Sequence, residues 1–459
     1  MKLHGLASQI ADHWLPLSAN RVECTLCPRH CKPHNGQMGY CGVRGAVDAA
    51  LHTFNFGLAL AATEEVIETE AVNHFSPGVR ILSLGNVGCM MSCSFCQNWE
   101  TSQIKHLDQK QVRHYTPQQL VDICLQNEIG VISWTYNDPV VWQEFVVATS
   151  RLAQANGIKT LYKSAFYIEQ AAVAELIECI DIFSISLKSL SESFYKKITK
   201  GELKPVLDRI KQVAASGRHL EISQLLIPEL NDKDEDILRT IDWVYDNVGV
   251  DVPLHFVAFH PAYKYTKVGR TELSLLERAR KMAYAKGMRH VYLGNTHVPD
   301  LNNTHCSHCQ ALQVRRYGLH AEPMNIDEHG NCSQCGTASI IKHINQVKQE
   351  TRSAGASGDL RHSVQLLWNS EAQSAHIMQV AGERGIDTIR LRPLGPHAST
   401  ERVLQHGLDR FIVARQSADD LGIVMSWDSD KEYQFFPVLD RAHFPVQTEI
   451  TIHPISSKQ

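Results

Sequence analysis

Residues 81–96 read ILSLGNVGCMMSCSFC, a short apolar run broken by glycine and followed directly by a polar loop with three cysteines. The apolar run is typical of a buried β-strand. The loop places Cys89, Cys93 and Cys96 in a C-x3-C-x2-C spacing, which holds three thiols on one tight turn after the strand. This strand and its loop indicate both the fold and the chemistry that the rest of the chain supports.

The three cysteines of this loop favour an iron–sulfur cluster. Three thiolates can bind three irons of a [4Fe–4S] cluster and leave the fourth iron without a protein ligand. Such an open iron is what chelation of a cosubstrate requires. The alternative is a zinc knuckle, but structural zinc sites take four ligands, usually as two pairs. We therefore predict a [4Fe–4S] cluster at Cys89, Cys93 and Cys96.

Strand and helix patterns alternate on both sides of the loop, from about residue 80 to 297. Strands are predicted at 81–87, 131–136, 159–166, 181–188, 219–228, 254–261 and 289–294, and helices at 139–157, 168–179, 203–216, 233–247 and 272–287. This alternation predicts a parallel sheet. Its length fits an α/β barrel of the TIM type, complete or partial, with chemistry at the carboxyl ends of the strands.

Composition divides the chain into six segments. We predict a Cys₄ metal module at 1–48, a connecting segment at 49–79, the barrel at 80–300, a zinc-ribbon-like Cys₄ module at 301–345, a polar linker at 346–360, and a small C-terminal α/β domain of unknown role at 361–459. Within the last segment, the pattern predicts a helix near 399–414. The predicted fold class is thus α/β, with Cys-rich modules on both sides of a barrel.

The cysteines at 306–335 form two C-x2-C pairs at the spacing of a zinc ribbon: Cys306, Cys309, Cys332 and Cys335. Four thiolates close a tetrahedral site with no open position, which predicts a structural zinc ion. Iron in a rubredoxin-like site is the alternative, because Cys₄ tetrahedra accept both metals.

A second set of four cysteines lies in a Gly- and Pro-rich segment near the N-terminus: Cys24, Cys27, Cys31 and Cys41. Four thiolates can close either a zinc site or an auxiliary [4Fe–4S] cluster, and their spacing does not choose between the two. Compact knuckles of this kind are usually structural zinc sites, which favours zinc.

Composition and charge indicate a globular protein and argue against one that binds nucleic acid or membranes. The 459 residues carry 45 Lys+Arg against 49 Asp+Glu, a formal charge of -4, and 43% of the residues are hydrophobic. This is the composition of a globular protein, and it lacks the excess of basic residues expected in a protein that binds nucleic acid or an acidic membrane.

The sequence contains no run of about 18 uncharged apolar residues, so a transmembrane helix is not expected. The N-terminus lacks the features of a signal peptide. A cytoplasmic location is predicted, where clustered cysteines more often bind metal than form disulfides.

Several motifs, in order over 22–340, resemble the radical S-adenosylmethionine (SAM) superfamily. They include VECTLCPRHC (22–31), GCMMSCSFCQNWE (88–100), SWTYNDP (133–139), DIFSISLKSLSESFY (181–195) and PLHFVAFHP (253–261). Within the superfamily, the chain is most similar to the radical SAM proteins of the AmmeMemoRadiSam system, relatives of pyruvate formate-lyase activating enzyme. The resemblance implies that SAM binds the open iron and is reductively cleaved to methionine and a 5′-deoxyadenosyl radical, which abstracts hydrogen from a substrate.

The resemblance also implies four SAM-contacting residues, each with a structural alternative. Phe95 would lie near the adenine or pack within the loop, and Asp138 would accept the methionine amino group or cap a helix before Pro139. Lys188 would contact the SAM carboxylate or ribose, or form a salt bridge. His255 would lie against the adenine, or act as a core histidine or as one that supports a neighbouring site residue.

Three functions follow from these observations. The first is a radical SAM enzyme acting on an unidentified substrate, a small molecule or a flexible segment, with an electron donor such as flavodoxin or ferredoxin. The second is an activase that makes a glycyl radical on a partner protein. The third is a non-catalytic zinc-ribbon binding protein.

Overall fold

The computed structural model describes residues 8–18, 20–296 and 300–342 and, beyond these, only the strands between 362 and 454. Strands come first along the chain, at Gln9–Ile10, Trp14–Ser18, Arg21–Cys24, Arg44–Val47, Ala50–Thr53, Leu58–Ala59 and Thr63–Val66. The alternating strand and helix pattern starts only at residue 80, as the sequence predicts.

The centre of the chain is a sheet of parallel strands whose spatial order follows the chain. Its strands are β1 (Arg80–Gly85), β2 (Val131–Thr135), β3 (Lys159–Ser164), β4 (Ile182–Ser186), β5 (His219–Leu226), β6 (Leu254–Ala258) and β7 (Val291–Gly294). Each strand pairs in parallel with the next. Thr63–Val66 pairs antiparallel with β1, and β7 ends the sheet on the other side, so the barrel is partial.

Helices connect the strands as the amphipathic patterns predict. They are α1 (Pro117–Gln126), α2 (Gln143–Ala155), α3 (Gln170–Cys179), α4 (Leu203–Ala215), α5 (Asp234–Asn247) and α6 (Leu273–Lys286). Only α1 was not predicted. It begins with a capping box, in which the backbone N–H of Gln119 donates to Thr116 Oγ1 and that of Thr116 donates to Gln119 Oε1. Such a box is a recognisable start signal in the sequence TPQQ.

Between the sheet and the helices lies a core of apolar side chains. Trp142 stacks on Phe145 with ring centres 4.5 Å apart, and Trp134 meets Trp142 edge to face. Both indoles are satisfied, since Trp134 donates to Ser150 Oγ and Trp142 to the carbonyl of Asn55. Cys124 and Cys179 are fully buried in this core, where they pack as small hydrophobic side chains.

The N-terminal segment is joined to the barrel by a buried ion pair. Arg44 Nη1 donates to Glu144 Oε1 of α2 at 2.6 Å, and only 2% and 6% of the two side chains are exposed. The cysteine segment after residue 300 contains the strands Thr304–His305, Leu312–Tyr317 and His320–Pro323. It contacts the loop before β1, where the backbone N–H of Ser76 donates to the carbonyl of Lys342.

The helix predicted near 399–414 is wrong. That range contains two strands, Thr400–Leu404 and Arg410–Ala414. The sequences TERVL and RFIVA are rich in β-branched and aromatic residues, and HGLD between them is rich in turn formers, which together favour strands over a helix. The overall α/β class is confirmed.

The C-terminal strands extend the barrel sheet. Arg410–Ala414 pairs in parallel with Thr63–Val66 and is followed by Ala375–Gly382 and Tyr433–Val438. A separate sheet contains His362–Leu367, Asp387–Pro393, Thr400–Leu404, Gly422–Trp427 and Ile452–Pro454. Among the described helices, none combines the length and apolar character needed to span a bilayer.

Candidate functional site at the carboxyl ends of the strands

A cavity of about 340 Å³ lies at the carboxyl ends of the parallel strands, where a barrel of this kind carries its chemistry. Loops after β1, β2, β3 and β4 form its walls, and the ends of β5, β6 and β7 complete them. Its volume is within the range of small-molecule and cofactor sites.

All three cysteines of the loop after β1 line this cavity. The loop is held from outside, because the backbone N–H groups of Ser92 and Ser94 donate to the carbonyls of Thr199 and Ile198. Gly88 enters the loop with φ +87, and a Cβ there would lie 3.0 Å from the carbonyl oxygen of Cys41. The tight turn therefore requires glycine at this position.

The environment of the three thiols suits a bound cluster. Burial raises the pKa of Cys93 to about 12 and that of Cys89 well above its ordinary value. A buried thiolate therefore needs a cation to balance it, and iron supplies that charge. The backbone N–H of Met91 donates to Cys89 Sγ at 3.3 Å, and Ser102 Oγ lies 3.5 Å from Cys96 Sγ. Hydrogen bonds of this kind tune iron–sulfur clusters.

The cysteines of the 301–345 segment are arranged differently. Sγ–Sγ distances of 3.7 Å separate Cys306 from Cys335 and Cys309 from Cys332. A tetrahedral ion with metal–sulfur bonds of about 2.3 Å places its ligand sulfurs about 3.8 Å apart. The four thiols therefore fit one metal ion without rearrangement, and this geometry does not distinguish zinc from iron.

Asp138 lines the cavity and caps the turn Pro139–Trp142 at the same time. Its carboxylate accepts from the backbone N–H groups of Val140 and Ala165 and from Ser164 Oγ, at 3.3, 2.8 and 2.8 Å. Burial raises its pKa, although these hydrogen bonds oppose the shift. The alternative of a helix-capping role is thus observed. A carboxylate has about four acceptor positions, so one is left for a ligand.

Lys188 follows β4 and also lines the cavity. Its backbone is fixed, since its N–H donates to the Tyr195 hydroxyl and its carbonyl accepts from Asn231. Among the described residues, no carboxylate lies within ion-pair distance of its ammonium group. The alternative of a structural salt bridge is therefore not observed, and the positive charge of Lys188 faces the same cavity as the cysteines.

His255 also lines the cavity, on β6, with its Nε2 2.7 Å from Glu221 Oε2. Although burial opposes it, hydrogen bonds from His219 and His255 hold the pKa of Glu221 well below its ordinary range. The same carboxylate accepts from the backbone N–H groups of Asn73 and His74. His255 is therefore positioned by a buried carboxylate, and its ring still borders the cavity.

Phe95 does not border the cavity. It is buried, and its ring centre lies 6.1 Å from that of Phe194. The structure therefore places Phe95 in the packing behind the cysteine loop, which is the structural alternative for this residue.

Two basic residues of the cavity were not predicted as site residues. Lys163 Nζ donates to the carbonyl of Glu70 at 2.9 Å and to Ser184 Oγ at 3.0 Å, and burial lowers its pKa to about 8. Arg316 reaches the cavity from the distant cysteine segment, and its Nη2 donates to the carbonyl of Asn73 at 2.6 Å. The position of Lys163 near the end of a predicted strand was a usable signal, whereas nothing local in the sequence indicated Arg316.

Glu68 also lines the cavity and lies next to Arg316, with 3.7 Å between Glu68 Oε1 and Arg316 Nε. Burial raises the pKa of Glu68 to about 7, although the charge of Arg316 opposes the shift. The lining of the cavity therefore includes two groups that can hold or release a proton near neutral pH, Lys163 and Glu68.

Comparison with known proteins agrees with this site. The model of the Radical SAM superfamily matches residues 83–241, which include the cysteine loop. An uncharacterised protein of Methanocaldococcus jannaschii is 36% identical over 321 residues, covering 70% of this chain and 95% of its own length.

Two activating enzymes are more distant relatives. The pyruvate formate-lyase-activating enzyme of Streptococcus mutans is 22% identical, over 37% of this chain and 66% of its own length. The (2S)-3-sulfopropanediol dehydratase activating enzyme of Klebsiella oxytoca is 24% identical, over 30% of this chain and 45% of its own length. With the cysteine loop, the partial barrel and these relatives in agreement, the chain belongs to the radical SAM superfamily.

Proposed function

We propose that this protein reductively cleaves SAM at a [4Fe–4S] cluster held by Cys89, Cys93 and Cys96, and uses the resulting radical to abstract hydrogen from an enclosed substrate. The observation that carries this proposal is the exposure of all three thiols to one cavity at the carboxyl ends of the strands. Three thiolates leave one iron of such a cluster open for SAM. When bound, the cluster supplies the electron that breaks the carbon–sulfur bond of SAM.

The protein's own residues bind and orient the cosubstrate. Lys188 offers an unpaired ammonium group beside the cysteines, which suits the SAM carboxylate. Asp138 retains one acceptor position, which suits the methionine amino group. His255 is fixed by Glu221 and presents its ring to the cavity, where it suits an adenine. Phe95 supports the loop from behind.

The substrate is a small molecule or a flexible segment, because the reacting carbon has to reach the radical inside the cavity. Lys163 and Arg316 make the lining of the cavity polar and locally basic. Glu68 lies beside Arg316, and its raised pKa lets it hold or release a proton near neutral pH. Such a lining suits a polar substrate. A reducing cytoplasm suits the thirteen cysteines, and a flavodoxin- or ferredoxin-type protein suits the need for single electrons.

Activation of a glycyl-radical enzyme is the second candidate function, and the names of the relatives favour it. The substrate would then be a flexible glycine-containing segment of a partner protein, which the cavity can admit. The non-catalytic zinc-ribbon alternative does not account for the cysteine loop at the cavity or for the family match.

The proposal is tested by replacing one cluster ligand. Cys93→Ala, prepared and assayed without oxygen, should lose about four irons per chain and all formation of 5′-deoxyadenosine from SAM and a reductant. Cys124→Ala is the matched control, since this buried cysteine lies in α1 away from the cavity, and it should keep both properties. Formation of 5′-deoxyadenosine by Cys93→Ala at the rate of the unaltered protein would contradict the proposal.

A further inference from the structure

The four N-terminal cysteines surround an enclosed space of their own. Cys24, Cys27, Cys31 and Cys41 line a cavity of about 20 Å³, which also touches Met90 of the loop after β1. A space of this size is enough for a water molecule. A zinc ion bound to four thiolates leaves no such space, because its ligand sulfurs meet around the ion at about 2.3 Å.

The spacing of the sulfurs points in the same direction. Among the described residues, the 306–335 cysteines are the only group of three or more potential ligands whose ligand atoms all lie within 4.8 Å of one another. The four N-terminal sulfurs are therefore spread more widely than the ligands of a single tetrahedral ion. A [4Fe–4S] cluster requires this wider spread, because each thiolate binds a different iron.

Backbone N–H groups surround these sulfurs. The N–H of Tyr40 donates to Cys31 Sγ at 3.4 Å, that of Arg29 donates to Cys27, and that of Val43 donates to Cys41. N–H···S hydrogen bonds are a means by which proteins set the potential of iron–sulfur clusters.

The histidine nearest in sequence to these cysteines, His30, does not compete with them for a metal. Both ring nitrogens of His30 are occupied, Nδ1 by Glu23 at 3.0 Å and Nε2 by Glu169 at 3.1 Å. The four thiols that line this space are therefore the candidate ligands.

We propose that Cys24, Cys27, Cys31 and Cys41 hold a second [4Fe–4S] cluster. Four protein thiolates occupy all four irons, so this cluster has no open position for SAM. This assignment replaces zinc, which the compact cysteine spacing alone favours.

The location of the second cluster suggests an electron-transfer role. Arg29, between Cys27 and Cys31, donates from Nε to the carbonyl of Met90 at 2.5 Å, and Met90 directly follows Cys89. Arg29 therefore links the N-terminal cysteine segment to the loop that carries Cys89, Cys93 and Cys96. The second cluster would accept one electron from a reduced flavodoxin- or ferredoxin-type carrier and pass it to the cluster at Cys89, with no bond made or broken. This role rests on the proposed function, whereas the cluster itself does not.

Metal analysis of the anaerobically purified protein tests the second cluster. We expect about eight cluster irons per chain in the unaltered protein and about four in the triple variant Cys89→Ala/Cys93→Ala/Cys96→Ala. The triple variant should keep the visible absorption of a [4Fe–4S] cluster and show its electron paramagnetic resonance signal on reduction. Adding Cys27→Ser and Cys31→Ser should abolish both, while adding Cys124→Ala should change neither.

A count of about four cluster irons in the unaltered protein, with zinc or no metal at the N-terminal cysteines, would overturn this proposal. The count needs no variant, so misfolding of a variant cannot obscure it. SAM cleavage by such a four-iron protein would leave the proposed function standing. Conversely, a full complement of iron without SAM cleavage would count against the proposed function alone.

Discussion

The buried ion pair between Arg44 and Glu144 is one of the contacts that join the N-terminal segment to the barrel. Glu144 Oε1 accepts from Arg44 Nη1 at 2.6 Å and from the backbone N–H of Asp12 at 2.8 Å. Both side chains of the pair are buried. In Glu144→Ala, two donors therefore lose their acceptor, and one of them retains a full positive charge.

We expect Glu144→Ala to lower the free energy of unfolding by about 3–5 kcal/mol, because it leaves a buried charge without a partner. The same magnitude follows from the two hydrogen bonds, at roughly 1.5–3 kcal/mol for the charged one and about 1–3 kcal/mol for the stranded backbone donor. Urea unfolding of the metal-loaded protein, followed by tryptophan fluorescence, measures the change.

Two control variants separate charge burial from simple loss of a contact. Asp208→Ala removes an exposed ion pair with Lys204, and its unfolding curve should match that of the unaltered protein. Arg44→Met/Glu144→Leu removes both buried charges and should recover most of the lost stability. Equal unfolding midpoints for Glu144→Ala and Asp208→Ala would refute the reasoning.

Three further outcomes are expected. The pKa of Glu68 is raised from 4.5 to about 7, so the folded protein binds a proton that the unfolded chain has released, and stability falls as the pH rises through 7. Glu68→Gln should remove this fall, about 1.4 kcal/mol between about pH 6 and about pH 8 in unfolding measurements, and an unchanged pH dependence would contradict it. Cys309→Ser/Cys332→Ser should lower the melting temperature while the cluster iron survives, because a closed Cys₄ site couples metal binding to folding. Metal analysis decides between zinc and iron there, and an unchanged melting temperature would count against a structural role. Deleting 360–459 should preserve iron content and SAM cleavage but impair turnover of the identified substrate, and full turnover by the shortened protein would contradict this.

Much of the barrel could be predicted from the sequence, because its strands are continuous apolar runs and its helices are amphipathic. The C-terminal region could not be predicted in the same way. Near 399–414, a helix was expected, but strand-forming sequences on either side of HGLD give two strands. One of them pairs with Thr63–Val66, a contact across more than three hundred residues that no local pattern reveals.

In the candidate site, too, the residues set by local sequence could be predicted, and those that depend on distant contacts could not. The cysteine loop could be predicted because its three cysteines lie close together in the sequence and follow a strand. The roles of Asp138 and His255 depend on partners from other strands, Ser164 and Glu221, so the sequence left their alternatives open. Arg316 enters the cavity from a separate segment, and only the folded chain brings it there.

The most direct test of the central claim is the electron paramagnetic resonance spectrum of the reduced protein before and after addition of SAM. If an open iron at the loop of Cys89, Cys93 and Cys96 binds SAM, the signal that is absent from the triple alanine variant should change on addition of SAM, and 5′-deoxyadenosine should then form. A signal from this loop that SAM leaves unchanged, in protein with its full iron content, would contradict the account.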